Sequence, residues 1–239
     1  MSCLIHFYVP AWDEEALKGA IGSGADVIVM DLEEATPQGR KEEGRALTRR
    51  ALREIDFKGA EKWVRVNPVG SPELERDLQG LDGLPAGIVM PRAASAQDLL
   101  ILAEKIVLLE RRLGLPLGRT PILPTIETAE GLLHAHEIAG ASSRVSLITL
   151  GGGDLLRDLG GLRTPEGGEL FYARARLAVE ARAAGVRPMD TVTPAKMPDD
   201  YLERETREAF RLGFVGRGVL TSRHIGPIRK IYAEMRGET

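Results

Sequence analysis

Glu127 and Asp154 each stand where an apolar run gives way to a turn. Glu127 follows Pro121-Ile-Leu-Pro-Thr-Ile126, and Asp154 follows Leu150-Gly-Gly-Gly153. Carboxylates at successive strand ends can converge on one hard cation, because parallel strands joined by helical crossovers point their C-terminal ends at one face. Oxygen donors with no His or Cys beside them suit Mg²⁺ or Mn²⁺ and disfavour zinc. Glu127 and Asp154 are thus the candidate metal ligands, with simple capping of the following helices as the alternative. The run Gly151-Gly-Gly153 lets the backbone approach a ligand closely, and its N–H groups could bind a carboxylate oxygen. Neither Gly-x-Gly-x-x-Gly nor Gly-x-x-x-x-Gly-Lys occurs, so nucleotide phosphate binding has no support.

Arg65 lies inside the apolar stretch Trp63-Val-Arg-Val-Asn67, where a guanidinium is costly unless it reaches a partner. On an inner wall it could grip a substrate carboxylate or the oxygen that becomes an enolate. A buried salt bridge to Asp31 or Glu33 is the alternative, and the two roles are compatible. Asp31, Glu33 and Glu34 crowd one strand end. Asp31 or Glu34 is the candidate to hold a water that accepts a proton. His134 and His136 are two apart on an expected helix and face different directions, so they do not form a metal pair. No Ser-His-Asp or Cys-His constellation is evident.

The elements that must position these residues recur about every 30 residues, β-rich runs alternating with amphipathic stretches, which argues for βα units and a parallel sheet. Strands are expected at Leu4–Val9, Asp26–Asp31, Trp63–Asn67, Gly87–Met90, Ile122–Ile126, Ser146–Leu150, Val186–Asp190 and Phe214–Leu220. Helices are expected at Glu14–Ile21, Gln38–Arg53, Pro72–Leu78, Ala96–Leu113, Thr128–Ala139, Leu170–Ala184, Asp199–Leu212 and Ile225–Met235. Gly22, Gly114, Gly140, Gly185 and Gly213 fall where left-handed C-caps would sit. Eight strands close a TIM (β/α)8 barrel, and 239 residues suit a single α/β domain spanning 1–239. The C-terminal rim then gathers Pro10, Trp12, Asp31, Arg65, Arg92, Glu127, Asp154 and Asp190, and in such barrels that rim carries the active site.

Lys plus Arg 32 nearly cancels Asp plus Glu 35, so no net field favours nucleic acid or an acidic membrane surface. The single cysteine, Cys3, fits a reducing cytosol. No apolar run approaches the roughly 20 residues of a membrane span, and nothing resembles a signal peptide. The expected setting is the cytoplasm, with small molecules or other subunits as partners.

Taken in order, Tyr8-Val-Pro10, Gly24–Ala35, Val64-Arg-Val-Asn67-Pro, Gly87-Ile-Val-Met-Pro91, Ile126-Glu-Thr-Ala-Glu-Gly131, Gly153-Asp-Leu and Tyr172-Ala-Arg-Ala-Arg176 resemble the citrate lyase beta subunit and malyl-CoA lyase branch of the HpcH/HpaI aldolase family. The resemblance implies a TIM barrel in which Glu127 and Asp154 bind Mg²⁺, Arg65 contacts the oxo-acid, and Gly152 and Gly153 donate backbone hydrogen bonds to its carboxylate. Asp31 and Glu34 join Arg65 as the implied catalytic set. The implied reaction is Mg²⁺-dependent retro-aldol or Claisen cleavage of a 3-hydroxyacyl-CoA such as citramalyl-CoA or malyl-CoA. A non-CoA aldolase of a small hydroxy-oxo-acid and a non-catalytic oxo-acid-binding subunit are the alternatives. The chain departs from the CoA-dependent pattern at Leu4-Ile5, where an Arg-Ser pair is usual, and at Thr221-Ser222, where His-Pro is common. It also ends at Thr239, without the expected C-terminal lid. A homo-oligomer, trimer first, would cover the rim, with Phe214-Val215 and Ile225–Tyr232 as candidate contacts.

Overall fold

A computed structural model describes residues 3–83 and 85–238; Thr239, the expected end of the barrel, lies outside them. The first half runs β1 (Leu4–Pro10), α1 (Glu14–Ala20), β2 (Val27–Asp31), α2 (Lys41–Glu54), β3 (Glu61–Arg65), α3 (Pro72–Gly80), β4 (Gly87–Met90) and α4 (Ala96–Arg112). It continues with β5 (Ile122–Ile126), α5 (Ala129–Leu133), α6 (Ala135–Gly140), β6 (Leu147–Leu150) and α7 (Gly152–Asp158). The last units are α8 (Phe171–Ala183), β7 (Arg187–Met189), α9 (Asp199–Arg211), β8 (Gly216–Val219) and α10 (Ile225–Arg236).

All eight strands are parallel, in the order β7-β6-β5-β4-β3-β2-β1-β8. The ring closes between β7 and β8 through the bridge of Asp190 with Arg217, where Asp190 N–H donates to Gly216 O at 2.9 Å. This is the expected TIM-type barrel. Side chains divide by strand periodicity into two apolar clusters. The larger lies between strands and helices. The smaller fills the barrel and includes Val27, Val29, Trp63, Val89, Leu123 and Leu147. The Trp63 indole lies over Gly87, where any Cβ would come within 2.5 Å of the ring. That filled interior is the floor of the site.

Several expected boundaries shift for local reasons. The long helix expected at Thr128–Ala139 breaks at His134 into α5 and α6. Thr128 caps α5 by accepting a hydrogen bond from Gly131 N–H at 3.0 Å. The three glycines read as a loop instead begin a short helix: Gly151 is the N-cap of α7. Four of the five expected left-handed glycines have positive φ, whereas Gly140 is the last residue of α6. Phe214, Ile225, Ile228, Ile231 and Tyr232 are buried in the chain's own core, so the apolar pieces expected to contact another subunit are spent on packing β8 and α10 against the barrel.

Candidate functional site

The interior rows run upward by steps of two residues and change character at the C-terminal end. On β2 the row is Val27, Val29, Asp31; on β3 it is Trp63, Arg65; on β5 it is Leu123, Thr125, Glu127. The lower members form the floor, and the upper members line a cavity of about 440 Å³ at the barrel mouth. Asp31, Glu34, Arg65, Glu127, Asp154, Gly152 and Gly153 all line it. The sequence-derived candidates are thus brought together around one cavity. None of the four histidines lines this cavity.

Strand register sets Asp31 beside Arg65, since the two are paired across β2 and β3. Arg65 donates from Nε to Asp31 Oδ1 at 2.8 Å and from Nη2 to Asp31 Oδ2 at 2.5 Å. Glu33 adds an ion pair to Nη2 at 3.4 Å. The Asp31 carboxylate also accepts from Glu33 N–H at 2.8 Å and Ala35 N–H at 3.1 Å. Four bonds occupy it fully, so it fixes Arg65 rather than holding a water. The salt bridge and the cavity-facing position of Arg65 coexist.

The loop after β2 is itself anchored. Lys41, 7% exposed, donates from Nζ to Leu32 O at 2.6 Å, Glu33 O at 2.7 Å and Asn67 Oδ1 at 2.9 Å. Burial pulls its pKa below the usual amine value. Asn67 in turn donates to Asp77 Oδ2 at 2.7 Å, a carboxyl that burial pushes up to about 6.

Glu127 is 3% exposed. One carboxylate oxygen, Oε1, accepts from Arg92 N–H at 2.6 Å. Arg92 reaches this geometry with φ 49°, a left-handed conformation that a non-glycine residue adopts only under constraint. Burial pushes the Glu127 carboxyl up to about 7, against the pull of Arg65. The neighbouring register of β5 and β6 lays Gly151 against this side chain. A Cβ on Gly151 would fall 2.4 Å from Glu127 Oε2 and 2.7 Å from its Cβ, so only glycine leaves that carboxylate its place. Asp154, in the first turn of α7, is partly exposed, and burial followed by the charge of Glu34 raises its pKa. It pairs with Arg157, which also reaches Glu34 Oε1 at 2.8 Å.

Gly152 and Gly153 are not equivalent. Gly152 N–H donates to Thr191 Oγ1 at 3.0 Å, so its amide is already used within the protein. Gly153 is the second residue of α7, and its N–H has no intrahelical acceptor. Of the two amides, Gly153's is the one available to a carboxylate.

Asp190, expected at the rim, is fully buried and bound by Arg174, from Nε at 3.0 Å and Nη2 at 2.9 Å. Arg217 stands 3.6 Å away and also pairs with Glu205 at 3.0 Å. This internal network fastens β7, β8, α8 and α9 together at the cavity, which Asp190 itself lines. Asp190 thus stands at the rim as its strand-end position suggested, with its carboxylate engaged by Arg174.

Glu127 and Asp154 offer oxygen donors only, and among the described residues no group of three or more His, Cys, Asp or Glu forms a closed metal cage. Two carboxylates with one free Glu127 oxygen in an open cavity fit a cation that keeps water or substrate in its remaining positions, as Mg²⁺ does.

The profile of the HpcH/HpaI aldolase/citrate lyase family matches residues 4–221. The chain belongs to that family. The citrate lyase subunit beta of Leuconostoc mesenteroides subsp. cremoris is 33% identical over 232 residues, covering 97% of this chain and 77% of that protein. The mitochondrial citramalyl-CoA lyase of Homo sapiens is 29% identical, covering 95% of this chain and 69% of that protein. Among solved structures, the citrate lyase beta subunit of Mycobacterium tuberculosis complexed with oxaloacetate and magnesium superposes with TM-score 0.81 at 26% identity, over 97% of each chain. These relatives make the chain a lyase of the aldolase and citrate lyase class. No described helix is long and apolar enough to cross a membrane.

Proposed function

We propose that the chain is a Mg²⁺-dependent carbon–carbon lyase that cleaves a 3-hydroxyacyl-CoA thioester such as citramalyl-CoA or malyl-CoA. The observation that carries this reading is the convergence of Glu127, Asp154 and Arg65 on one cavity above a packed floor. Glu127 and Asp154 would hold the cation, which when bound supplies Lewis-acid polarisation of the oxygen at the bond being cleaved. Arg65, locked by Asp31, presents a fixed positive charge to the oxo-acid portion. Gly153 N–H is the amide left to donate to its carboxylate.

Cleavage requires the substrate hydroxyl to lose its proton as the carbon–carbon bond breaks. The hydroxyl carbon becomes the carbonyl of the oxo-acid, and the electron pair passes to the departing thioester as an enolate. Asp31 has no acceptor position to spare, so Glu34, half-exposed at the cavity wall, is the acid positioned to hold the accepting water.

Turnover of citramalyl-CoA and malyl-CoA should be measured against free hydroxy-oxo-acids, with Mg²⁺ and with chelator. Chelator-sensitive release of an oxo-acid from a thioester is the expected result. Cleavage of free acids alone would establish a non-CoA aldolase, and oxo-acid binding without any turnover would establish a binding subunit. We further propose self-association, trimer first. Since the C-terminal pieces are internal, one exposed apolar surface that could serve is Leu133 on α5 with Phe171, Tyr172 and Val179 on α8. A fully active monomer in light scattering would refute it.

A further inference from the structure

Arg157 sits three residues after Asp154 on α7, a spacing that places the two side chains on one helix face. Its Nη2 contacts both Asp154 Oδ1 and Glu34 Oε1, the latter at 2.8 Å and from a residue 123 positions away. One nitrogen therefore stands between a candidate cation ligand and a second carboxylate at the cavity wall. The guanidinium is 64% exposed, so moving it exposes no buried charge. The helix beneath it is fixed, since Asp158 accepts a hydrogen bond from Ala129 N–H at 2.7 Å.

Three acids, Glu34, Glu127 and Asp154, line this part of the cavity, and Arg157 lines it with them. A divalent cation brings two positive charges to Glu127 and Asp154, and Arg157 then balances Glu34 alone. Three carboxylates, one guanidinium and a divalent cation sum to zero, and with the cation on Glu127 and Asp154 the carboxylate left for Arg157 is Glu34. A guanidinium left against Asp154 Oδ1 would repel the incoming cation and occupy one of its oxygens.

We propose that Arg157 is a tethered stand-in for the cation: it holds Asp154 in the metal-free protein, competes with the cation for that carboxylate, and shifts onto Glu34 when the cation enters. This rests on the cation-binding reading above. Glu34 is then the element that sets how readily Asp154 is surrendered.

Mg²⁺ affinity measured by calorimetry tests it without reference to turnover, on wild type, Arg157→Gln, Glu34→Gln and the double variant. Arg157→Gln should bind Mg²⁺ more tightly than wild type, by up to about fivefold, the range expected when an exposed competing pair is removed. Glu34→Gln should weaken binding in the wild-type background, because Arg157 then has only Asp154, and should have a markedly smaller effect once Arg157 is gone. Equal or weaker binding by Arg157→Gln overturns the stand-in role, as do strictly additive effects of the two substitutions. Wild type that binds no Mg²⁺ at all would instead overturn the cation reading on which the inference stands.

Discussion

Glu127→Gln separates the cost of the site from its use. The substitution keeps the side-chain shape and the carbonyl oxygen that accepts from Arg92 N–H, while removing the charge. In the metal-free protein burial raises the Glu127 pKa from the ordinary 4.5 to about 7. A carboxyl whose folded-state pKa lies above its unfolded value binds its proton more tightly in the folded state. Its contribution to stability is therefore complete below about pH 4.5 and is lost as pH rises through about 7. At about 1.4 kcal/mol per tenfold change in proton affinity, the full loss is roughly 3 kcal/mol by pH 8.

Glutamine never ionises, so the variant should be more stable than wild type at pH 8 in chelator by up to that amount. For a chain of this length the gain corresponds to roughly 6–12 °C in melting temperature. Near pH 4.5 the two proteins should melt together. Saturating Mg²⁺ at about a hundredfold excess over Kd should return about 2.7 kcal/mol to wild type and little to the variant. Thermal unfolding followed by circular dichroism at both pH values, with and without Mg²⁺, reads all four conditions. A variant that melts at or below wild type at pH 8 in chelator would refute the argument that the buried carboxylate is held at a cost the cation offsets.

Arg65→Lys retains charge but loses the two-bond fork to Asp31, and oxo-acid binding should weaken by roughly 1.5–3 kcal/mol with Mg²⁺ affinity nearly unchanged; undiminished binding of oxaloacetate would make Arg65 purely structural. Gly151→Ala should lower Mg²⁺ affinity by displacing Glu127, whereas Gly153→Ala, with nothing within 4 Å of the added carbon, should not. Equal calorimetric isotherms for the two variants would count against Gly151 as the seat of Glu127. Lys41→Met should cost roughly 1.5–3 kcal/mol in urea unfolding by leaving the Leu32 and Glu33 carbonyls without their charged donor, and an unchanged midpoint would show that the β2 loop is held by other contacts.

Element type was legible because the strands, apolar and of β-forming residues, are punctuated by glycine and capping residues. Their ends carried the candidate residues to one rim, since parallel βα repetition leaves no other arrangement. Inward and outward faces were harder to read, because strands buried on both sides lack a clean alternation. Val27 and Ile28 look alike in sequence, yet one fills the barrel and the other meets the helices. The misreading of α7 came from three consecutive glycines, whose conformational freedom masks a helical start. Arg92 was noticed at a strand end but carried no chemical signal, because its contribution is a main-chain N–H presented at positive φ. Arg217 escaped entirely, and Arg174 was seen only as part of the run Tyr172–Arg176, with no role: a buried arginine announces itself through partners such as Asp190 and Glu205, which the fold brings from other elements.

What the rim offers a ligand follows from hydrogen-bond capacity. On β2 and β3, Asp31 is saturated by Arg65 and two backbone amides, so the strand ends present a guanidinium, and the carboxylate left at the cavity wall on that side is Glu34 in the loop after β2. On β5 and β6, Glu127 meets one backbone N–H, and Asp154 meets an exposed arginine shared with Glu34. Glu127 Oε2 and the carboxylates of Asp154 and Glu34 thus have oxygen lone pairs to give. On the proposed reading the cation takes Glu127 and Asp154, and an anionic substrate group meets Arg65 in the same cavity. The engagement of Asp31 with Arg65 and two backbone amides keeps its carboxylate from serving as a further cation ligand. Loss of Arg65 would remove the proposed positive contact for the substrate and leave the Asp31 carboxylate with only its two backbone donors.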